Sequence, residues 1–549
     1  MLLKSNIFLL FSTVFSAKHI QFTHLTDLHY DPSFRKNADE KQHCHSGHIQ
    51  KSNNFGSQKC DTPLNVIVET IKAIKSLNTQ LIFWTGDTAR HDSDQNLKRS
   101  PEESYSQNSD IAKIFIDYDV NKESLIVPSI GNWDVWPPNR LGDGPNIVLE
   151  KIYASWEPLL QPDTEIGKRI KETFHQGGWF SVPLDVHQIS IISLNTIYWF
   201  AENDAVEDCS LNINDTIPGD KQISWLRKEL ESLKARNFSA FLIGHVPPID
   251  LQNQMLYYPN CYHHFLETLD LFKEVLIGEF FGHINKDTYM PLLKLNDENN
   301  VDPNVPKLKL ISLNENSLND FDFEKYSIIN VLQTSASVLP VFNTAFKKGV
   351  ISLKNENNEQ ENEYFVKEQS QFYNDLRKSN LVNTFKFEES CQTRETFFLA
   401  TLKPRDLQGW IKKSQESSQS ETDLNLFRRY LECIQVHTER KYFDRLVLSK
   451  TGMILFGGFL TFFFFVCILG IYLYTKHLEI VEGDQSERQR LLFRPVTSGR
   501  DRYPDESPTQ GSSSTLYPNK IKTSLGKKGS LKLKQLTKSN SKSNLNQNN

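Results

Sequence analysis

The stretch TQLIFWTGD (79–87) decides the fold class of this chain. Its apolar run is typical of a short buried β-strand, and the run ends at Gly86-Asp87. Further β-rich runs occur at HIQFTHL (19–25), ESLIVPSIGN (123–132), HQISIISLN (187–195), FSAFLIGH (238–245) and VLIGEFFGH (275–283). Segments with helical apolar spacing lie between them, at 64–77, 218–236 and 263–274. This alternation of strands and helices predicts an α/β layered domain.

Polar side chains follow five of these predicted strands. They are Asp27 with His29, Asp87, Asn132, His245 and His283. A single His after a strand is more often a capping or surface residue, but five such strand ends in order indicate a binding site. In open α/β sheets, ligands bind beyond the carboxyl ends of the strands. Carboxylate, imidazole and carboxamide groups suit Zn, Mn or Fe, and the set is large enough for two metal ions that share one carboxylate.

The ends of the chain carry two apolar stretches that are unlike the rest. Residues 1–17 have one Lys, a short apolar run and then small residues, which predicts a secretory signal peptide; a buried N-terminal strand is the alternative. Residues 451–475 contain no charged residue and predict one transmembrane helix. We therefore expect a lumenal folded domain at 18–370, a helical extension and linker at 371–450, and a disordered cytosolic tail at 476–549. The net charge of -5 gives no basic surface for nucleic acid.

The cysteines outside the predicted span agree with an oxidising compartment. Their number is even, which fits three disulfides, and proximity in sequence favours the pairs Cys44–Cys60, Cys209–Cys261 and Cys391–Cys433. Asn214 and Asn237 each begin an Asn-X-Ser/Thr glycosylation acceptor. The polar stretches 294–307 and 354–363 are expected to be loops, and 329–353 is expected to form two strands around a turn.

The motifs TDLH, TGDTARHD, GNWD, GHVPP and GHIN, in this order, resemble the calcineurin-type binuclear metallophosphoesterases over most of residues 20–350. The longer forms LTDLHYDP, WTGDTARHDSD and GNWDVWPPN are similar to the branch that holds acid sphingomyelinases and fungal vacuolar endopolyphosphatases. Arg-His-Asp-Ser-Asp after Gly86-Asp87, and Gly-His-x-Asn at 282–285, favour the endopolyphosphatases. The resemblance implies a layered β-sandwich flanked by helices.

The resemblance also implies a role for each strand-end residue. The first metal ion would be held by Asp27 and His29, with Asn285 in place of the usual second His. Asp87 would bridge both metal ions, and the second ion would be held by Asn132, His245 and His283. The two divalent ions would be Zn, Mn, Fe or Co, a metal-bridging hydroxide would attack phosphorus, and His91 would protonate the leaving group.

Two positions depart from the wider pattern. Many relatives carry His directly after the Asn of the third motif, and this chain has Trp133, which cannot titrate. Asn285 offers an amide oxygen, a weaker ligand than imidazole. A phosphoanhydride releases phosphate, a better leaving group than an alkoxide, so we interpret both departures as a site tuned for polyphosphate.

Other polar residues are weaker candidates. Arg90, Arg140 and Lys286 are predicted to bind the polyanionic substrate, although each alone is more often a solvated surface charge. Asp92 is a candidate to orient His91. Surface or helix positions are expected for the remaining ectodomain histidines that drew attention, namely His24, His43, His45, His48, His263 and His264.

These observations predict a metal-dependent hydrolase that cleaves inorganic polyphosphate internally. The alternatives are a phosphodiesterase for lipid headgroups or nucleotides at the same site, and a membrane receptor without activity. ERQRLLF (487–493) resembles an acidic dileucine signal, in which Glu487 precedes Leu491-Leu492 and would bind a sorting adaptor. We expect a single-pass protein of the vacuolar or lysosomal membrane, with the cell surface as the alternative.

Overall fold

The computed structural model of the chain describes residues 19–48, 53–297, 302, 305–314, 316–353, 364–396, 398–417 and 426–434. The predicted signal peptide, transmembrane helix, cytosolic tail and 354–363 loop lie outside these residues. Among the helices of the described ranges, none is both long and apolar enough to cross a membrane.

The predicted strands are present, together with others that the sequence did not reveal. They are β1 (His19–Leu25), β2 (Leu81–Trp84), β3 (Leu125–Pro128), β4 (Phe180–Leu184), β5 (Ile189–Ser193), β6 (Ser239–Ile243), β7 (Leu276–Phe281), β8 (Thr288–Leu295), β9 (Leu308–Leu310), β10 (Tyr326–Thr334), β11 (Ala345–Leu353), β12 (Tyr364–Tyr373) and β13 (Glu388–Gln392). These strands form a six-stranded sheet in the order β13-β12-β11-β1-β2-β3 and a seven-stranded sheet in the order β4-β5-β6-β7-β10-β8-β9.

Parallel pairing in the middle of each sheet is what positions the candidate site. β2 pairs in parallel with β1 and with β3, and β6 pairs in parallel with β5 and with β7. Parallel strands end at the same edge of a sheet, so the loops that follow these strands lie side by side. The mixed α/β architecture with two sheets confirms the predicted layered fold class.

Aromatic side chains fill the space between the two sheets. Phe22 of β1 and Phe83 of β2 lie 5.2 and 5.0 Å, centroid to centroid, from Phe280 of β7. The next side chain of β2, Trp84, points to the opposite face because successive side chains of a strand alternate. It contacts Phe115 and Trp156 of two covering helices. Each such buried aromatic ring stabilises the fold by roughly 1.5–3 kcal/mol.

Helices cover the outer faces of the sandwich. They are α1 (Leu64–Ser76), α2 (Pro101–Asp117), α3 (Val120–Glu123), α4 (Ile147–Trp156), α5 (Glu165–Gly177), α6 (Pro218–Ala235), α7 (Pro259–Leu271), α8 (Leu376–Val382), α9 (Thr393–Thr396), α10 (Pro404–Ser417) and α11 (Leu426–Ile434). Single 3-10 turns occur at Glu40–Gln42, Glu157–Leu159, Asp185–His187, Thr196–Tyr198 and Ser317–Asp320. The start of α2 follows from its sequence. Ser100 caps this helix by accepting a hydrogen bond from the Glu103 N–H, and Pro101 follows at the first helical position.

The three disulfides confirm the predicted pairing. Cys44 is bonded to Cys60, Cys209 to Cys261 and Cys391 to Cys433. Two other expectations require correction. β12 runs across residue 370 and β13 adds a further strand to the first sheet, so the 371–450 region begins with strands of the two-sheet fold and is only partly helical. The strands at 329–353 do not form one hairpin, because β10 belongs to the second sheet and β11 to the first.

Candidate metal centre

The structure brings the strand-end residues together. Asp27 and His29 follow β1, Asp87 follows β2, Asn132 follows β3, His245 follows β6, and His283 with Asn285 follows β7. All seven side chains are buried. They form two donor groups, in each of which the ligating atoms lie within 4.8 Å of one another: Asp27, His29 and Asp87, and Asp87, His245 and His283.

Asp87 belongs to both donor groups. Its Oδ2 lies 3.4 Å from His29 Nε2 on one side and 3.2 Å from His245 Nε2 on the other. Its Oδ1 accepts a hydrogen bond of 2.8 Å from the Trp133 N–H, which holds the carboxylate in this orientation. A carboxylate placed between two sets of nitrogen and oxygen donors is the arrangement expected of a ligand that bridges two metal ions.

Asn132 completes the second donor group. Its Oδ1 lies 2.9 Å from His245 Nε2 and 2.9 Å from His283 Nδ1. An amide oxygen and two imidazole nitrogens therefore converge on one point beside Asp87. These are the oxygen and nitrogen donors that borderline divalent cations such as Zn²⁺ accept.

Three atoms of the candidate ligands of the first metal ion make no hydrogen bond although they are buried. They are Asp27 Oδ1, His29 Nε2 and Asn285 Oδ1. A buried polar atom without a partner costs about 1–3 kcal/mol. A cation held by these atoms would remove that cost. Together with the second donor group, the residues present therefore fit two divalent ions.

The backbone of the candidate ligands is strained. Asp27, His29, Asp87, His283 and Asn285 all have positive φ, between 40° and 70°. Asp, Asn and His tolerate this left-handed region better than most residues, but it remains unfavourable. Gly131 makes the crowding possible, since a Cβ there would lie 2.0 Å from the Asp87 nitrogen. Such strain persists only where the surrounding structure holds it, as at functional sites.

The buried charges of the centre perturb one another strongly. Burial raises the pKa of Asp87, but the charge of His245 and its hydrogen bond outweigh burial and hold that pKa below its usual value. Burial lowers the pKa of His245, and the charge of Asp87 reverses this effect and raises the pKa to about 9. The Asp87 carboxylate and the His245 imidazole thus stabilise each other's charged forms, and a cation bound at Asp87 would take the place of that positive charge.

His91 lies directly beside the first donor group. Its Nδ1 is 2.7 Å from Asp61 Oδ1, and its backbone N–H donates to Asp61 Oδ2 at 2.8 Å. Its Nε2 is buried and makes no hydrogen bond. Asp61, which the sequence did not reveal, thus orients His91, and the prediction for Asp92 is wrong: Asp92 instead accepts from the Arg99 N–H.

Asp134 is a second residue that the sequence did not assign. Its Oδ2 accepts from the backbone N–H groups of Asp87 and Gly131 at 3.0 and 2.8 Å, and its Oδ1 accepts from Thr88 at 2.8 Å. It therefore ties the turn after β2 to the turn after β3. The motif GNWD contains this residue two positions after Asn132, and this position was the signal available in the sequence.

Trp133 forms an aromatic wall beside His91. The two rings meet edge to face with centroids 4.6 Å apart. Arg99 lies over the indole at 5.4 Å from the ring centroid and donates to the Trp133 carbonyl at 2.7 Å. Directly after Asn132, this chain therefore has an anchored aromatic ring that cannot titrate.

The predicted substrate-binding cations are not equivalent. Arg90 is buried; its Nε lies 2.5 Å from Glu103 Oε1, and its other nitrogens donate to the carbonyls of His91 and Leu97. The prediction that Arg90 binds substrate is therefore corrected, since its donors are used within the protein. Arg140 is exposed and pairs with Asp204 at 2.9 Å. Lys286 Nζ lies 5.1 Å from the Phe342 ring centroid.

Two of the other histidines also differ from expectation. His24 is buried in β1, with Nε2 2.9 Å from Thr85 Oγ1. His45 joins the loop after β1 to the loop after β2, with Nε2 2.9 Å from Asp31 Oδ2 and Nδ1 2.7 Å from Asp94 Oδ2. His24 is therefore not a surface residue, and the His45 side chain is only 11% exposed. His43 and His48 lie in the loop after β1, and His263 and His264 lie on α7.

Two remaining features concern glycosylation and a grouping that resembles a metal site. The glycosylation acceptors Asn214 and Asn237 are both exposed. Asp208 lies near Cys209 and Cys261 in a grouping that resembles a metal site, but these cysteines form a disulfide and offer no thiolate.

Comparison with known proteins gives a consistent sequence relationship. No family model matches the chain. It is 33% identical over 283 residues to the endopolyphosphatase of Neurospora crassa, which covers 49% of this chain and 37% of that protein. It is 29% identical over 294 residues to the endopolyphosphatase of Saccharomyces cerevisiae, which covers 50% of this chain and 41% of that protein. The chain thus spans less than half the length of these curated relatives.

Among solved structures, the chain matches a dimetal phosphatase from Danio rerio with a TM-score of 0.34 and 10% identity, over 64% of this chain and 95% of that chain. It also matches a structure of PhoD with a TM-score of 0.33 and 10% identity, over 73% of this chain and 77% of that chain.

Proposed function

We propose that this protein hydrolyses the phosphoanhydride bonds of inorganic polyphosphate, cleaving within the chain, with two divalent metal ions. The observation that carries the proposal is the position of Asp87 between two donor groups. The similarity to fungal endopolyphosphatases supports polyphosphate as the substrate. Trp133, beside His91, cannot donate a proton, so His91 would have to protonate the leaving group without help from this position. This supports a substrate whose leaving group is a good one, as the phosphate of a phosphoanhydride is.

The residues of the chain divide the work of the reaction. When bound, the two cations would supply Lewis acidity and lower the pKa of an attacking water. Asp27, His29 and Asn285 would hold one ion, Asn132, His245 and His283 the other, and Asp87 both. The water oxygen would form a bond to phosphorus and lose a proton to solvent, while the bridging P–O bond on the opposite side would break and its electron pair would leave with the departing phosphate. His91 Nε2 is the group that can donate a proton to the oxygen of the departing phosphate. Asp61 orients the His91 ring through its hydrogen bond to Nδ1.

The test uses the full-length protein and its Asp87→Asn variant. We expect the wild type to shorten long polyphosphate to intermediate lengths, which marks internal cleavage, and to prefer it to choline-phosphate esters and nucleoside triphosphates. Asp87→Asn should abolish turnover and lower metal content, because an amide lacks the negative charge needed between two cations.

Asp117→Asn, at an exposed carboxylate at the end of α2, is the matched control and should leave turnover and metal content unchanged. Preference for a choline-phosphate ester would favour the phosphodiesterase alternative. Near wild-type turnover of Asp87→Asn with two bound ions would rule out the proposed centre.

We further propose that the protein is anchored in a vacuolar or lysosomal membrane through 451–475 and sorted there by the dileucine motif at 487–493. Both segments lie outside the described residues, and the proposal rests on their sequence. Replacing Leu491 and Leu492 by Ala should divert the tagged full-length protein to the cell surface without loss of activity. Unchanged co-localisation with a vacuolar membrane marker would exclude this motif.

A further inference from the structure

A chain of hydrogen bonds leads from Asn132 away from the metal centre. Asn132 Nδ2 donates to Asn139 Oδ1 at 2.7 Å, and Asn139 Nδ2 donates to Glu202 Oε2 at 2.9 Å. An ionised carboxylate can only accept hydrogen bonds, so Glu202 selects the nitrogen end of the Asn139 amide. Asn139 then presents its oxygen, which selects the nitrogen end of Asn132 and leaves Asn132 Oδ1 facing the two imidazoles.

The backbone holds this chain of hydrogen bonds in place. The Asn139 N–H donates to the Asn132 carbonyl at 2.8 Å, which closes the loop between the two residues. Asn203, next to Glu202, accepts from the Leu141 N–H at 3.1 Å and donates to the Leu141 carbonyl at 3.0 Å. Asn203 is fully buried. Its two hydrogen bonds to Leu141 therefore fix the segment that contains Glu202 against the segment that contains Asn139.

We propose that Asn139 and Glu202 are positioning residues that aim Asn132 Oδ1 at the second metal ion and thereby set its affinity. This inference rests on the proposed function only in that Asn132 is a metal ligand. Burial raises the pKa of Glu202 to about 7, but the carbonyl oxygen of a protonated carboxyl also accepts a hydrogen bond, so the role persists in both states. Without the chain of hydrogen bonds, the Asn132 amide could turn its nitrogen toward the ion, and an NH₂ group is not a ligand.

The test titrates the metal-stripped full-length protein with Co²⁺ and follows both binding constants by absorbance. Glu202→Ala should weaken binding at the second site about 10–100-fold and leave the first site unchanged. Glu202→Gln keeps an accepting oxygen and should restore binding close to wild type. Asn139→Gly removes the side chain but tolerates the φ of 68° at this position, and should act like Glu202→Ala. Glu207→Ala, at an exposed carboxylate of the same loop, is the matched control.

The outcomes separate this inference from the proposed function. If the wild type binds no Co²⁺, the metal centre and the proposed function are both wrong. If it binds two ions and the second affinity is unaltered in Glu202→Ala and Asn139→Gly, the positioning role is overturned while the function stands. A third outcome would also overturn the inference. If Co²⁺ affinity falls equally at both sites, the Tm of the metal-free variants is lower and Glu202→Gln does not restore binding, the role of these residues is structural.

Discussion

The imidazole of His91 lies flat on the imidazole of His29, with ring centroids 3.9 Å apart and 16° between the planes. His29 faces Asp87 and is a candidate metal ligand. His91 is held by Asp61 at Nδ1 and has no hydrogen-bond partner at Nε2. One ring can therefore bind a cation while the ring stacked on it can transfer a proton.

The stacked pair predicts that chemistry and metal binding can be separated by mutation. His91→Gln should lower kcat on polyphosphate about 10²–10⁴-fold, the usual contribution of a general acid, without changing metal content. Asp61→Asn should cause a smaller loss, because an amide accepts from only one of the two His91 donors. The measurements are steady-state turnover and metal content of the same samples. Loss of metal in proportion to activity would show that His91 is a ligand.

Asp134 should be important for stability. Asp134→Asn removes one of two oxygens that accept from the N–H groups of Asp87, Thr88 and Gly131, and turns an NH₂ toward donors. We expect the free energy of unfolding of the metal-free chain to fall by about 3 kcal/mol, measured by urea denaturation. The exposed control Asp204→Asn should change it by less than about 1 kcal/mol. Equal effects of the two substitutions would contradict this role.

The affinity of the first metal ion should depend on residue 285. Asn285→His should raise it, because imidazole is a stronger ligand than an amide oxygen, and His tolerates the φ of 60° as it does at His29 and His283. Asn285→Gly keeps the backbone without a ligand and should lower it. Competition with a chelator measures all three forms. Identical chelator sensitivity would mean that Asn285 is not a ligand.

Glu279 should make stability depend on pH. It is buried in β7, where Oε1 accepts from Asn330 at 2.8 Å, and burial raises its pKa from 4.5 to about 8. The folded chain thus keeps a proton that the unfolded chain loses between these values. The stabilisation that this group contributes is complete below about pH 4.5 and is lost as the pH rises through about 8. Over this range its contribution to the free energy of unfolding falls by on the order of a few kcal/mol.

Glu279→Gln cannot titrate, and its stability should therefore change less between pH 5 and pH 8 than that of the wild type. Urea denaturation of both proteins at the two pH values measures this difference. Parallel curves for wild type and variant would refute the assignment.

The sequence by itself indicated the strands that precede the candidate ligands and the residues at their ends, and proximity in sequence favoured the disulfide pairs that the structure shows. Apolar runs and the polar residues that end them are local properties of a sequence. Because parallel strands end at one edge of a sheet, Asp27 and Asp87, which follow neighbouring strands of one sheet, were expected to lie close together. His245 follows a strand of the second sheet, so its position beside Asp87 depends on how the two sheets pack.

Only the tertiary structure decided which polar groups serve the site and which are used elsewhere. Asp61 meets His91 across 30 residues, and Asn139 meets Glu202 across 63. Arg90 belongs to the same motif as His91 but turns into the protein toward Glu103. No local pattern encodes such contacts, because each depends on where two distant loops are brought by the packing of the sheets and on the burial of the groups that meet there.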